Sequence, residues 1–135
     1  MFMFQLPGIP ERVVTRRGFA KQAFRGWAVH KENFADEDLA RLEEAIQKPG
    51  AMTGGVNYYR AALRNLSTST RLPIINCPTL VIWGMQDRAL DSMQLEGLEA
   101  FARDVRIYRV PDASHWVQQD APETVNRELL AFLKG

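Results

Sequence analysis

Thr79-Leu80-Val81-Ile82-Trp83 and Val105-Arg106-Ile107-Tyr108-Arg109-Val110 are the two stretches on which the fold turns. Both are short, rich in β-branched and aromatic residues, and bounded by turn-forming residues, so both are expected to be strands. Between them Met93, Leu95, Leu98 and Phe101 recur at helical spacing, which predicts a helix over about 92–102. A strand–helix–strand unit of this length is expected to be parallel, with a right-handed crossover. The loops that follow the two strands then emerge at one edge of the sheet. The first carries Asp87, four residues beyond Trp83, and the second carries His115, five beyond Val110. Catalytic groups of open parallel sheets gather at that carboxyl edge, so the imidazole and the carboxylate are expected to meet.

Such a pair suits proton transfer. An imidazole titrates near neutral pH and can deprotonate water or a nucleophile. A buried carboxylate beside it selects the tautomer and stabilises the imidazolium as it forms. Each residue also has a plainer reading. Asp87, after a glycine turn, is of a type that commonly closes loops, and His115, between Ser114 and Trp116, could be a structural hydrogen bonder. Their joint placement at matching strand ends favours catalysis.

Upstream, residues 1–70 show helical rather than alternating periodicity. After the two-proline turn Gln5-Leu6-Pro7-Gly8-Ile9-Pro10, a helix is expected over about 11–25, weakened by Gly18. Asp36-Glu37-Asp38 opens a second helix with Leu39, Leu42 and Ile46 on one face, and Lys48-Pro49-Gly50 ends it. A third is expected over about 52–66, its stripe formed by Val56, Tyr59, Leu63 and Leu66, with Tyr58 on the far side. Ser67-Thr68-Ser69-Thr70 is expected to be a linker. A final helix begins near Asp120, where Asp120 and Glu123 have capping-box spacing, and Val125, Leu129, Phe132 and Leu133 form the stripe expected to be buried.

Composition narrows the function classes. A chain of 135 residues with 46% apolar and 24% charged residues is globular in type. Its net charge of +1 gives no footprint for nucleic acid. No apolar run reaches the roughly 20 residues of a membrane span. The lone Cys77 rules out an internal disulfide and a cysteine-rich zinc site, and makes the cytosol the default location. Cys77 itself is expected to be a small buried apolar group, and His30, beside Lys31 and Glu32, a solvated helix-end residue. The opening Met1-Phe2-Met3-Phe4 is very short and lacks a preceding basic residue, so it does not read as a signal peptide; it is expected to be an apolar segment that needs a partner. No metal-ligand spacing is present, and no cofactor is expected.

Trp83-Gly84-Met85-Gln86-Asp87-Arg88-Ala89-Leu90 and Ser114-His115-Trp116-Val117-Gln118-Gln119-Asp120-Ala121-Pro122-Glu123 resemble the acid and histidine segments of α/β-hydrolases, and more narrowly those of the epoxide hydrolase branch. Phe4-Gln5-Leu6-Pro7 with Pro10-Glu11, and Asn57-Tyr58-Tyr59-Arg60, are similar to that branch's cap domain. The resemblance covers essentially the whole chain, but the second half of a family member. It implies a helical cap over 1–70 and the last strand–helix units of an α/β-hydrolase core over 71–135. It also implies three roles in opening an epoxide to a diol. Tyr59 would protonate or hydrogen-bond the epoxide oxygen, His115 would activate the water that hydrolyses the alkyl-enzyme ester, and Asp87 would orient and stabilise His115. The family's other ring-opening tyrosine would fall at or before Met1. Read without the family, Tyr59 could equally be a core tyrosine, although its place on the apolar stripe is independent of the resemblance.

The family nucleophile, an aspartate flanked by glycines two residues away on either side, has no counterpart here. The one pair of glycines four apart, Gly50 and Gly54, brackets Met52 in what looks like the start of the third helix. The family's His-Gly-x-Pro oxyanion segment is absent as well. The expectation is therefore a fragment of an epoxide-hydrolase-like enzyme that is inactive alone and binds its small-molecule substrate, an epoxide or haloalkane, in the full-length parent. Two alternatives stand beside it. One is a haloalkane or haloacetate dehalogenase of the same fold. The other is a non-catalytic remnant or split-protein half that associates through its exposed sheet edge.

Overall fold

The structure is a computed structural model that describes residues 2–65 and 73–135. Leu66 and the expected linker Ser67–Thr70 lie outside the described residues. The chain divides into two compact units, Met1–Arg25 with Ala35–Arg71 and Gly26–Phe34 with Leu72–Gly135. The segment Gly26–Phe34, embedded in the helical part of the sequence, thus packs with the strand-containing unit.

The first unit is helical. A 3-10 turn at Phe2–Gln5 leads into α1 (Ile9–Val14), with Pro10 in its first turn. The single helix expected over about 11–25 is in fact two, because the chain leaves α1 at Thr15 and starts again as α2 (Phe19–Ala23). Gly18 sits between them at φ 82°, a left-handed conformation that glycine adopts without steric cost. Both oxygens of the Glu43 carboxylate then accept amide protons at this break, from Gly18 at 2.9 Å and Ala20 at 3.0 Å. α3 (Asp36–Gln47) opens on its acidic turn as expected, and α4 (Ala51–Asn65) follows Gly50, which has φ 80°. Val14, Ala20, Leu39 and Val56 are buried in this unit.

The second unit is built on a two-stranded parallel sheet, β1 (Thr79–Gly84) and β2 (Val105–Val110). The register runs from Thr79 opposite Val105 to Gly84 opposite Val110. The crossover is not the expected helix. It contains two 3-10 turns, Ser92–Leu95 and Leu98–Ala100, separated by Gly97 at φ 75°. The Asp91 carboxylate accepts the Met93 amide proton at 2.9 Å and starts the first turn. Of the four apolar residues assigned to a helical stripe, Leu95 is buried at 2% exposure, whereas Met93 and Phe101 are exposed.

After β2 the chain forms α5 (Val117–Asp120) and α6 (Pro122–Lys134). The capping box does not form. Ala121 occupies the N-cap of α6, no side chain caps it, and the Asp120 carboxylate is engaged elsewhere. The stripe of α6 is also not buried, since Leu129 and Leu133 are exposed, Leu133 at 70%. Periodicity identified the helix, but burial depends on what packs against it. Cys77 is likewise exposed rather than buried, in the segment just ahead of β1. No helix among the described residues is long and apolar enough to cross a membrane.

Burial, not residue type, should therefore set the cost of truncation. Leu95→Ala is expected to destabilise the chain by about 2–5 kcal/mol. Leu133→Ala, at the exposed end of the stripe, should stay within roughly 0.5 kcal/mol of wild type. Urea unfolding followed by circular dichroism measures both.

Candidate active site

The two strand ends are tied directly to each other. Beyond the last paired residues, the Met85 amide donates to the Val110 carbonyl and the Gln86 amide to the Ala113 carbonyl, each at 2.9 Å. These bonds extend the contact of β1 and β2 into the loops. Gly84 lets the loops close. A Cβ at this position would collide with the Ser114 carbonyl oxygen, and would lie 2.6 Å from that of Ala113. The sequence pattern alone assigned Gly84 to a turn, yet its backbone is extended and the requirement is one of space.

On this platform the Asp87 carboxylate and the His115 ring come together, with Nδ1 2.8 Å from Oδ2. The carboxylate can only accept while ionised, so Nδ1 donates the shared proton; in the neutral imidazole this leaves the lone pair on Nε2. Asp87 Oδ1 accepts the amide protons of Ala89 at 2.7 Å and Leu90 at 3.0 Å. The Asp87 side chain is 7% exposed and that of His115 is 32% exposed. A shielded acid behind a partly open imidazole is the arrangement a general base requires. Trp116 flanks the imidazole edge-on, with ring centroids 4.9 Å apart. Burial by itself would raise the Asp87 pKa. The hydrogen bond from His115 and those from the Leu90 and Ala89 amides outweigh it and hold the carboxyl below its ordinary value.

Tyr59 belongs to the helical unit, on α4. Its ring stacks on Phe4, with centroids 4.8 Å apart and planes 14° from parallel, and meets Tyr58 edge-on. Tyr59 is 39% exposed and Tyr58 73%. Arg60 fixes this corner. Its guanidinium donates to the Phe4 carbonyl at 2.9 Å and the Leu6 carbonyl at 2.8 Å, and pairs with Glu11 at 2.6 Å. The hydrogen bond from Arg60 holds the Glu11 carboxyl below its ordinary pKa. The apolar opening segment is thus anchored on α4 through its carbonyls as well as its rings.

His30, read from sequence as a solvated helix-end residue, has its amide bonded to Asp120 Oδ1 at 2.8 Å and its ring 3.3 Å from Glu32. Among the described residues no cluster of three or more His, Cys, Asp or Glu side chains could hold a metal ion.

A family model described as the alpha/beta hydrolase fold matches residues 11–122. The chain belongs to the α/β-hydrolase family. Its relatives include Epoxide hydrolase 2 of Caenorhabditis elegans, 34% identical over 98% of this chain and 39% of that protein. AB hydrolase superfamily protein YfhM of Bacillus subtilis is also 34% identical, over 98% of this chain and 46% of that one. Among solved structures, Epoxide Hydrolase A from Mycobacterium thermoresistibile superposes with a TM-score of 0.80 at 24% identity, covering 99% of this chain and 51% of that one. That likeness shows the fold. The chain is therefore an epoxide-hydrolase-like member of the family that spans less than half the length of these two sequence relatives.

In this α/β-hydrolase chain, Gly84→Ala should displace the histidine loop, because backbone rather than a flexible side chain occupies the space. A loss of about 1–3 kcal/mol is expected, near the upper end. Urea titration reads the loss, and the chemical shift of the His115 ring reads the displacement. The lowered Asp87 pKa has a definite sign in stability. Its contribution is complete above the unfolded value near 4 and disappears as pH falls through the lower folded value. Asp87→Asn should remove that part of the acid sensitivity, measured as unfolding free energy against pH.

Proposed function

We propose that this chain supplies the acid–histidine relay and the cap tyrosine of an epoxide hydrolase that opens an epoxide to a vicinal diol through an ester intermediate. The observation that carries the reading is the 2.8 Å bond between His115 Nδ1 and Asp87 Oδ2, at the shared edge of two parallel strands. Asn57-Tyr58-Tyr59-Arg60 and the relatives that bear the name epoxide hydrolase support the choice of substrate class.

In the proposed reaction an aspartate carboxylate, contributed by residues outside these 135, attacks one epoxide carbon. A carbon–oxygen bond of the ester forms and the ring carbon–oxygen bond breaks, leaving the electron pair on the epoxide oxygen. The Tyr59 hydroxyl gives that oxygen its proton. His115 Nε2 then takes a proton from water, and the hydroxide attacks the ester carbonyl. Collapse breaks the ester carbon–oxygen bond, and the leaving oxygen takes the proton of the new carboxyl, which completes the diol and restores the carboxylate. The proton held on His115 Nε2 passes through solvent to reprotonate the Tyr59 phenolate. Asp87 stabilises the imidazolium during this second half, at the distance where a charge-assisted bond is strong. No cofactor takes part. A cytosolic setting belongs to the same proposal and is supported by the lone exposed thiol of Cys77.

Association through the sheet edge is a further part of this reading. A two-stranded sheet normally needs neighbours, and Leu129, Leu130 and Leu133 of α6 are exposed beside it. The 135-residue chain should therefore elute with a concentration-dependent apparent mass on size exclusion, and a strictly monomeric profile over the whole range would exclude that association.

The chain alone is expected to form no diol from styrene oxide, because no ester can form without the attacking carboxylate. Mixed with, or joined to, a segment that carries a Gly-x-Asp-x-Gly strand turn, it should become active. In that assembly His115→Gln should retain a burst of alkylation and lose at least about 10²-fold in turnover. Tyr59→Phe should instead slow the burst itself. Robust turnover by the isolated chain would refute the proposal.

A further inference from the structure

Asp120 is a buried carboxylate that the proposed reaction does not use. It is 4% exposed, and both of its oxygens accept backbone amide protons. Oδ2 takes the proton of Ser114 at 2.7 Å, and Oδ1 takes that of His30 at 2.8 Å. We infer that Asp120 is a positioning residue for His115, holding the peptide before the imidazole through the Ser114 amide. The inference rests on the relay reading of His115 and Asp87.

Ser114 is held at its amide and its hydroxyl. The amide donates to Asp120, and the hydroxyl accepts the Trp116 amide proton at 3.1 Å, while its carbonyl oxygen lies in the space a Cβ at Gly84 would need. It is also 1% exposed, so water does not substitute for a lost partner at low cost. His115 lies between two residues fixed in this way, and its Cα inherits their position. A carboxylate is suited to the task because it offers lone pairs on both oxygens, one to each amide. An asparagine of the same shape has one carbonyl oxygen. Its NH2 group would face the other amide proton, leaving a buried donor opposed by a donor.

The second oxygen connects the histidine loop to the segment Gly26–Phe34. Asn33 reinforces that connection from its own side chain, donating to the Gln119 carbonyl at 3.0 Å and the Asp120 carbonyl at 3.2 Å. These two bonds of the Asn33 side chain go to Gln119 and Asp120 and not to Ser114, which makes it the proper control. Removing it loosens the segment, whereas altering Asp120 also releases the peptide that carries the imidazole. A displacement of the order of 1 Å at a general base is enough to cost rate.

The test uses the 135-residue chain labelled with 15N and reads two signals. One is the exchange rate of the Ser114 and His30 amides. The other is the low-field proton on His115 Nδ1, assigned by its loss in Asp87→Asn. In Asp120→Asn, Ser114 exchange should accelerate by on the order of tenfold or more, the consequence of losing a charge-assisted bond, and the Nδ1 proton should be lost. Asn33→Ala should keep both signals of the histidine loop. An Nδ1 proton indifferent to Asp120→Asn would overturn the positioning role alone. Equal loss in both variants would overturn it too, because it would mean general loosening. A wild-type chain without that proton would overturn the relay and the positioning role together. Should Asp120→Asn fail to fold, wild-type exchange decides: an unprotected Ser114 amide rejects the role, and a protected one, with the proton intact in Asn33→Ala, supports it.

Discussion

Parallel pairing of β1 with β2, in register from Thr79–Val105 to Gly84–Val110, is the constraint on which the candidate site depends. Parallel strands release both following loops at one edge, and equal strand ends release them at one level. An antiparallel pair would place Asp87 and His115 at opposite edges, and a slip of one residue would turn the side chains at the strand ends to the other face. The absence of a Cβ at Gly84 makes the last step of closure possible. Across that gap the Ala113–Ser114 backbone settles close enough for Gln86 to bond to Ala113. The 2.8 Å bond between imidazole and carboxylate follows from that closure.

Loops of this chain are organised by carboxylates that accept backbone amide protons. Glu43 holds Gly18 and Ala20 at the break between α1 and α2, Asp91 holds Met93 in the crossover, Asp87 holds Ala89 and Leu90, and Asp120 holds Ser114 and His30. In each case the amides lie where no helix or sheet supplies a carbonyl, and an ionised acceptor replaces it. Two of these acids lie around His115 with different partners. One Asp87 oxygen faces a group that can gain a proton, whereas both Asp120 oxygens face amides that cannot. In the proposed scheme chemistry and positioning are thereby separated between residues of the same type.

Asp120 also shows where sequence reading meets its limit. The spacing of Asp120, Pro122 and Glu123 is that of a capped helix start, and the helix does start there, at Pro122. The cap is absent because the carboxylate turns inward to amides six and ninety residues away. Gly18 and Gly97 led to the opposite kind of difference. Each was present in an apolar period that suggested one helix, and each interrupts it by taking positive φ. The stripe of α6 was correctly periodic, but Leu129 and Leu133 remain exposed and Val125 and Phe132 are only half-buried, and Cys77 is exposed too.

From the order of residues came the two strands and their parallel relation, through short-range periodicity and crossover length, and the α/β-hydrolase family with the three residues proposed for chemistry, through the resemblance of local motifs to that family. Tertiary structure decided the rest: that residues 26–34 join the strand-containing unit, that Gly84 is required for space, that Arg60 anchors the segment beneath Tyr59, and that Asp120 bonds to the Ser114 amide. Those facts concern partners distant in the chain. A hydrogen-bond acceptor carries no mark of which donor it will meet, so the pairing exists only once the backbone has closed around it.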